Sequence, residues 1–173
     1  NPLAAAAINA AIATGSIDQC RATAAGINAG QYNDPAAAAV AAHECGHAIQ
    51  HACAYAPLKM RSALVPVVNF ASQWLTWVLL GGILLIETFP QLLLLGIILY
   101  GLTTLFAFVT LPVEINASTR AVAWLEQAGI TDRQTTPMAS NALRSAAYTY
   151  VVADLSSLGT LVYYIMIFLG RRD

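Results

Sequence analysis

The chain has 173 residues, room for one domain, and 58% of them are hydrophobic against 10% charged, an excess over the soluble-globular norm that requires an apolar solvent. A formal net charge of -1, with eight Lys and Arg scattered along the chain, offers no basic surface to a polyanion and argues against nucleic acid as a partner. The three cysteines, Cys20, Cys45 and Cys53, match no zinc-finger spacing, and their odd number fits small buried residues in a reducing compartment better than a disulfide framework.

Residues 1–34 open at Asn1 rather than at a methionine, which suggests a fragment, and mix short helical stretches with turns at Gly15, Gly26 and Gly30. A helix start is marked at Asn33-Asp34-Pro35: Asp34 can accept from orphan amide donors, and Pro35 occupies the first position, where no donor is missed. The spacing predicts a helix over 35–56, stopping before Pro57. Two apolar stretches follow within 62–111, Leu64 to Ile86 and Leu92 to Leu111, separated by Glu87, Thr88, Phe89 and Pro90. Neither contains Lys, Arg, Asp or Glu, and each is long enough at about 1.5 Å per residue to cross a hydrocarbon core of about 30 Å, so they read as a hairpin of spanning helices. Residues 112–150 read as a polar two-helix insert with a turn at Gly129 to Pro137. The last apolar stretch, Leu155 to Leu169 within 151–170, is short for a crossing and has Asp154 at its mouth.

Chemistry concentrates in the first helix, where residues 43–47 read HECGH and all three histidines fall within nine positions. At about 100° per helical residue, His47 lies about 40° around from His43 and one turn along, so both rings reach one ion. Glu44 lies about 100° from His43 and 60° from His47, placed to take a proton from a metal-activated water without ligating the metal. His51, about 12 Å along the helix from His43, is too far to share that ion and reads as a substrate-orienting residue or a plain helix-end histidine.

A catalytic zinc usually takes three protein ligands. A third histidine six residues past the second is excluded because Cys53 occupies that position, with Gln50 where the accompanying glycine would be. Cys53 as a thiolate is one alternative, and a later glutamate is the other. Glu87 belongs to the hairpin turn, across the membrane if both arms span. Glu126 reads as an exposed helix end. Glu114 follows the second crossing, returns to the first side and stands just after Pro112 at the expected opening of a helix, so it is the candidate third ligand, against a reading as an ordinary first-turn acid. Ser118, four residues on, can hydrogen-bond a ligand. Tyr150 is a candidate for stabilising the oxyanion, against a reading as an interfacial tyrosine.

The segments HECGHAIQHA, YAPLKMRSALVP, TLPVEINASTRA and AAYTYVVA, in order over residues 40 to 173, resemble the YugP-like family of bacterial membrane zinc metallopeptidases. The resemblance implies His43, His47 and Glu114 as zinc ligands and Glu44 as the catalytic residue. EINAS is also similar to the E-x-x-A-D helix of HtpX-type membrane proteases, with Ser118 standing in place of the aspartate. The first 35 residues depart from the family, whose initial spanning helix is absent and whose DHYDP-like stretch is reduced to QYNDP.

The expectation is thus an all-α, multi-pass membrane protein with a zincin-like active-site helix, forming one domain. It would act as a zinc-dependent, gluzincin-type endopeptidase on peptide or membrane-protein substrates in the lipid bilayer. Two other readings are a non-enzymatic membrane protein with a structural metal site and a metallohydrolase acting on a lipid-modified substrate. Lys59, Arg61, Arg120, Arg133 and Arg144 against a hairpin turn without basic residues favour a cytoplasmic active site, while Arg171 and Arg172 in the tail disagree.

Overall fold

Among the described residues four long helices carry the chain: α1 (Pro35–Ala52), α2 (Ala56–Leu84), α3 (Pro90–Gln127) and α4 (Thr136–Gly170). They are seen in a computed structural model that describes residues 25–26 and 34–170, and among those residues there is no strand. Cys20, the turns expected at Gly15 and Gly30, and Arg171 and Arg172 lie outside them. Gly26 is helical rather than a turn.

The start of α1 follows the cap rule, with Ala36 N donating to Asp34 Oδ1 at 3.1 Å. The helix ends earlier than expected. Ala54 has φ 52°, and Tyr55 N returns to Gln50 O at 2.9 Å, so the chain turns there and α2 begins at Ala56 with Pro57 in its first turn, where its missing donor costs nothing.

The segment read as a two-helix insert is helical and broken between Gln127 and Thr136, but its arms run on into the apolar helices. Pro112 opens no helix; it lies inside α3, and Glu114 is a mid-helix residue. Likewise α4 runs through Asp154 to Gly170, giving 35 residues where an apolar stretch of about 15 was legible. Among the described residues three helices, α2, α3 and α4, are therefore long and apolar enough to cross a membrane.

The chain forms two compact units. In the first, which takes the described residues to Lys59 and Leu111–Thr149, the core joins Ala38, Ala39, Ala41 and Ala42 of α1 to Ala121 and Leu125 of α3 and Ala139 and Leu143 of α4. The alanine run thus serves close helix approach, since a methyl group keeps backbones near one another. In the second, Met60–Thr110 with Tyr150 onward, Leu79 packs with Leu93 and Ile97, and Ser157 Oγ meets Thr104 Oγ1 at 2.7 Å between α4 and α3. Thr104 in turn donates to Tyr100 O at 3.0 Å, so a polar pair inside an apolar bundle stays satisfied.

Candidate metal centre

His43 and His47 project from α1 one turn apart, their rings edge to face with centroids 4.7 Å apart. The buried alanines of α1 pack beside the histidines against Ala121 and Leu125 of α3 and Ala139 and Leu143 of α4, which holds in place the helix that bears the rings. Gly46 lets α1 meet α3 closely: a Cβ there would stand 2.8 Å from Ala117 O. Ala117 lies three residues past Glu114, and the close approach brings that carboxylate to both histidines. Glu114 Oε2 is 3.3 Å from His43 Nε2 and 3.4 Å from His47 Nε2.

The other ring nitrogens are occupied. Ser118 Oγ lies 3.0 Å from His43 Nδ1, and Gln50 Oε1 lies 3.0 Å from His47 Nδ1. With Nδ1 carrying the hydrogen, each neutral ring turns a lone pair on Nε2 toward the carboxylate. In that tautomer three acceptors face one another, and a cation between them would satisfy all three.

A divalent metal fits that gap. The three donors lie within 4.8 Å of one another. Bonds of 2.0 to 2.1 Å in a tetrahedron put neighbouring donors about 3.3 Å apart, the separation seen on both histidine–glutamate edges. A proton is the alternative occupant. Burial works against charge on His47, but the Glu114 carboxylate beside it, with Gln50 and Glu44, outweighs burial and raises its pKa above the ordinary 6.5.

The remaining candidates are distributed unevenly. Glu44 is half-buried on α1 in the turn between the two histidines. His51 is exposed in the last turn of α1, and Glu126, Glu87 and Cys53 are also exposed and do not join the cluster of donors. Tyr150 belongs to the second unit and is exposed.

Gln50 and Asn116 escaped the sequence reading. Gln50 is 0% exposed, and its Nε2 donates to Val113 O at 2.9 Å and to Asn116 Oδ1 at 3.1 Å. Arg120 Nε donates to the same Asn116 oxygen at 2.8 Å. The available signal was spacing: Gln50 stands three residues past His47 and seven past His43, on one helix face.

A family model described as "Putative neutral zinc metallopeptidase" matches residues 27–169. The chain is also 44% identical over 137 residues to "Putative membrane protease YugP" of Bacillus subtilis (strain 168). That match covers 79% of this chain and 60% of the relative, so the chain spans less than two thirds of the relative's length. No solved structure matches.

Proposed function

The chain belongs to the YugP-like family of zinc metallopeptidases, and from that premise we propose that it is a membrane-embedded endopeptidase whose zinc is held by His43, His47 and Glu114. The observation that carries the reading is the convergence of those three donors while Ser118 and Gln50 occupy the outer nitrogens of both rings. Bound there, zinc would lower the pKa of a water to about 7 and polarise a substrate carbonyl.

Glu44 is the general base and acid. It sits in the helical turn between the two ligand histidines and does not belong to the donor cluster, which leaves its carboxylate to take a proton from the attacking water and return it to the leaving amine. With zinc on Nε2 of His43, Ser118 at 3.0 Å would orient the ring by accepting from its Nδ1–H. Three convergent protein donors, rather than four, suit a catalytic site with a position for water better than a closed structural one. The distribution of Lys59, Arg61, Arg120, Arg133 and Arg144 favours a cytoplasmic active site.

The test compares Glu44→Gln with the parent protein in detergent, reading bound zinc and cleavage of an unstructured protein substrate. Retained zinc with kcat/KM reduced by about 10²- to 10⁴-fold is expected. Undiminished cleavage would remove Glu44 from the chemistry, and a parent without zinc would remove the site.

A further inference from the structure

We propose that Gln50, backed by Asn116 and Arg120, is the positioning group that decides which nitrogen of His47 faces the metal; the proposal rests on reading His43, His47 and Glu114 as zinc ligands. A histidine ring presents either nitrogen with equal ease, and a metal site needs one of them fixed. Fixing it requires a neighbour whose own hydrogen-bonding sense is settled.

The settlement begins at the exposed end. A guanidinium only donates, so Arg120 Nε at 2.8 Å turns the oxygen of the Asn116 amide toward itself. That oxygen and the Val113 carbonyl are both acceptors, and both lie against one end of Gln50, at 3.1 Å and 2.9 Å. The Gln50 end between them must be its NH₂. Its oxygen therefore faces His47 Nδ1 at 3.0 Å, and because that oxygen cannot donate, Nδ1 carries the hydrogen. The lone pair remaining on Nε2 points to Glu114 Oε2, 3.4 Å away.

Reversing the Gln50 amide would set its oxygen against two acceptors, the buried Val113 carbonyl and the Asn116 amide oxygen. Full burial of Gln50 keeps water from repairing the mismatch, so the direction holds. The partner of His43 lacks this property: a Ser118 hydroxyl rotates to donate or accept, and by itself selects no tautomer. The tautomer lock is thus a property of His47 alone, transmitted from α3 to α1 through one amide.

The experiment uses the full chain in detergent micelles with ¹⁵N-labelled histidine, read by ring-nitrogen shifts without metal above the histidine titration range, and by zinc competition with a chromophoric chelator. In the parent, His47 is expected as the single Nδ1–H tautomer. Gln50→Met keeps length and removes both donors and the amide oxygen; a mixture of tautomers is expected, with zinc affinity down by about 10- to 100-fold. Asn116→Leu loosens the amide at its far end and should shift both readouts in the same direction by less. The double variant should bind zinc no more weakly than Gln50→Met, because the two residues act through one contact.

A parent that binds zinc while Gln50→Met leaves tautomer and affinity unchanged overturns the proposal alone. A parent that binds no zinc overturns the functional reading and the proposal with it. If Gln50→Met fails to fold by circular dichroism, Asn116→Leu decides the matter by the same two readouts.

Discussion

An imidazole ligand is set as much by the atom behind it as by the ion in front. Ser118 stands behind His43 at 3.0 Å, and removing its hydroxyl leaves the ring free to swing and its Nδ1–H without a partner in a half-buried place. Ser118→Ala is therefore expected to weaken zinc binding about 10-fold, the low end for such outer contacts, with helicity unchanged; isothermal titration with zinc measures it. Much at this scale is legible in the sequence. HECGH pairs the histidines by helical spacing, counting of crossings brings Glu114 to them, and the i to i+4 relation points to Ser118. Gln50 and Asn116 are not legible, because a glutamine bonding a ring and one facing solvent look alike until the helix packed against it is known. Glu114 also shows the limit of local rules: Pro112 before it reads as a helix start, yet an apolar helix in lipid has no water to repay broken hydrogen bonds and so continues through its proline.

Helix contacts carry the next predictions. Alanine is ordinarily the better helix former than glycine by about 1 kcal/mol, so Gly46→Ala would stabilise an isolated α1. In the folded chain its Cβ would stand 2.8 Å from Ala117 O and 3.1 Å from Ala117 Cα, backbone atoms that cannot turn aside. The sign reverses: a net loss of about 1 to 3 kcal/mol is expected, read as a lower thermal midpoint in detergent, together with weaker zinc binding because α1 and α3 must separate.

The start of α4 offers a pH-dependent counterpart. Asp132 Oδ1 accepts from Thr135 N, from the Thr135 hydroxyl and from Gln134 N, bonds that favour the carboxylate and hold its pKa below the ordinary 3.8. A depressed folded-state value means its contribution is complete above 3.8 and fades as the pH falls through the lower folded value. Amides at the start of α4 should accordingly lose exchange protection, relative to the rest of the helix, on acidification below pH 3.8 in the parent. Asp132→Asn should show no such acid step. This cap was readable only as a turn, since the sequence marks Gly129 to Pro137 as loop without saying which oxygen closes it.

Across the whole molecule, large apolar side chains stand outward where a water-soluble fold would hide them. Phe70, Trp74, Trp77 and Leu84 on α2, Ile98 and Leu105 on α3, and Val152, Leu155, Tyr163 and Met166 on α4 are each exposed by half or more. Apolar exposure on that scale matches a hydrocarbon surround, in agreement with three helices long enough to cross it. The third was only half legible because Asp154 interrupts its apolar run; the structure buries that residue at 4% exposure, so it does not end the helix. The proposed orientation rests on charge. Lys59 and Arg61 precede the apolar part of α2, and Arg120, Arg133 and Arg144 lie beyond that of α3, whereas the turn between α2 and α3 carries only Glu87. Cys53, exposed just past α1 and six residues before Lys59, reports on the same side. With Cys20 and Cys45 replaced by serine, a membrane-impermeant maleimide is expected to label Cys53 in inside-out vesicles and to leave it unlabelled in right-side-out ones. The reverse pattern would put the metal centre's helix outside, and the basic residues would then have to be explained by something other than the membrane's charge preference.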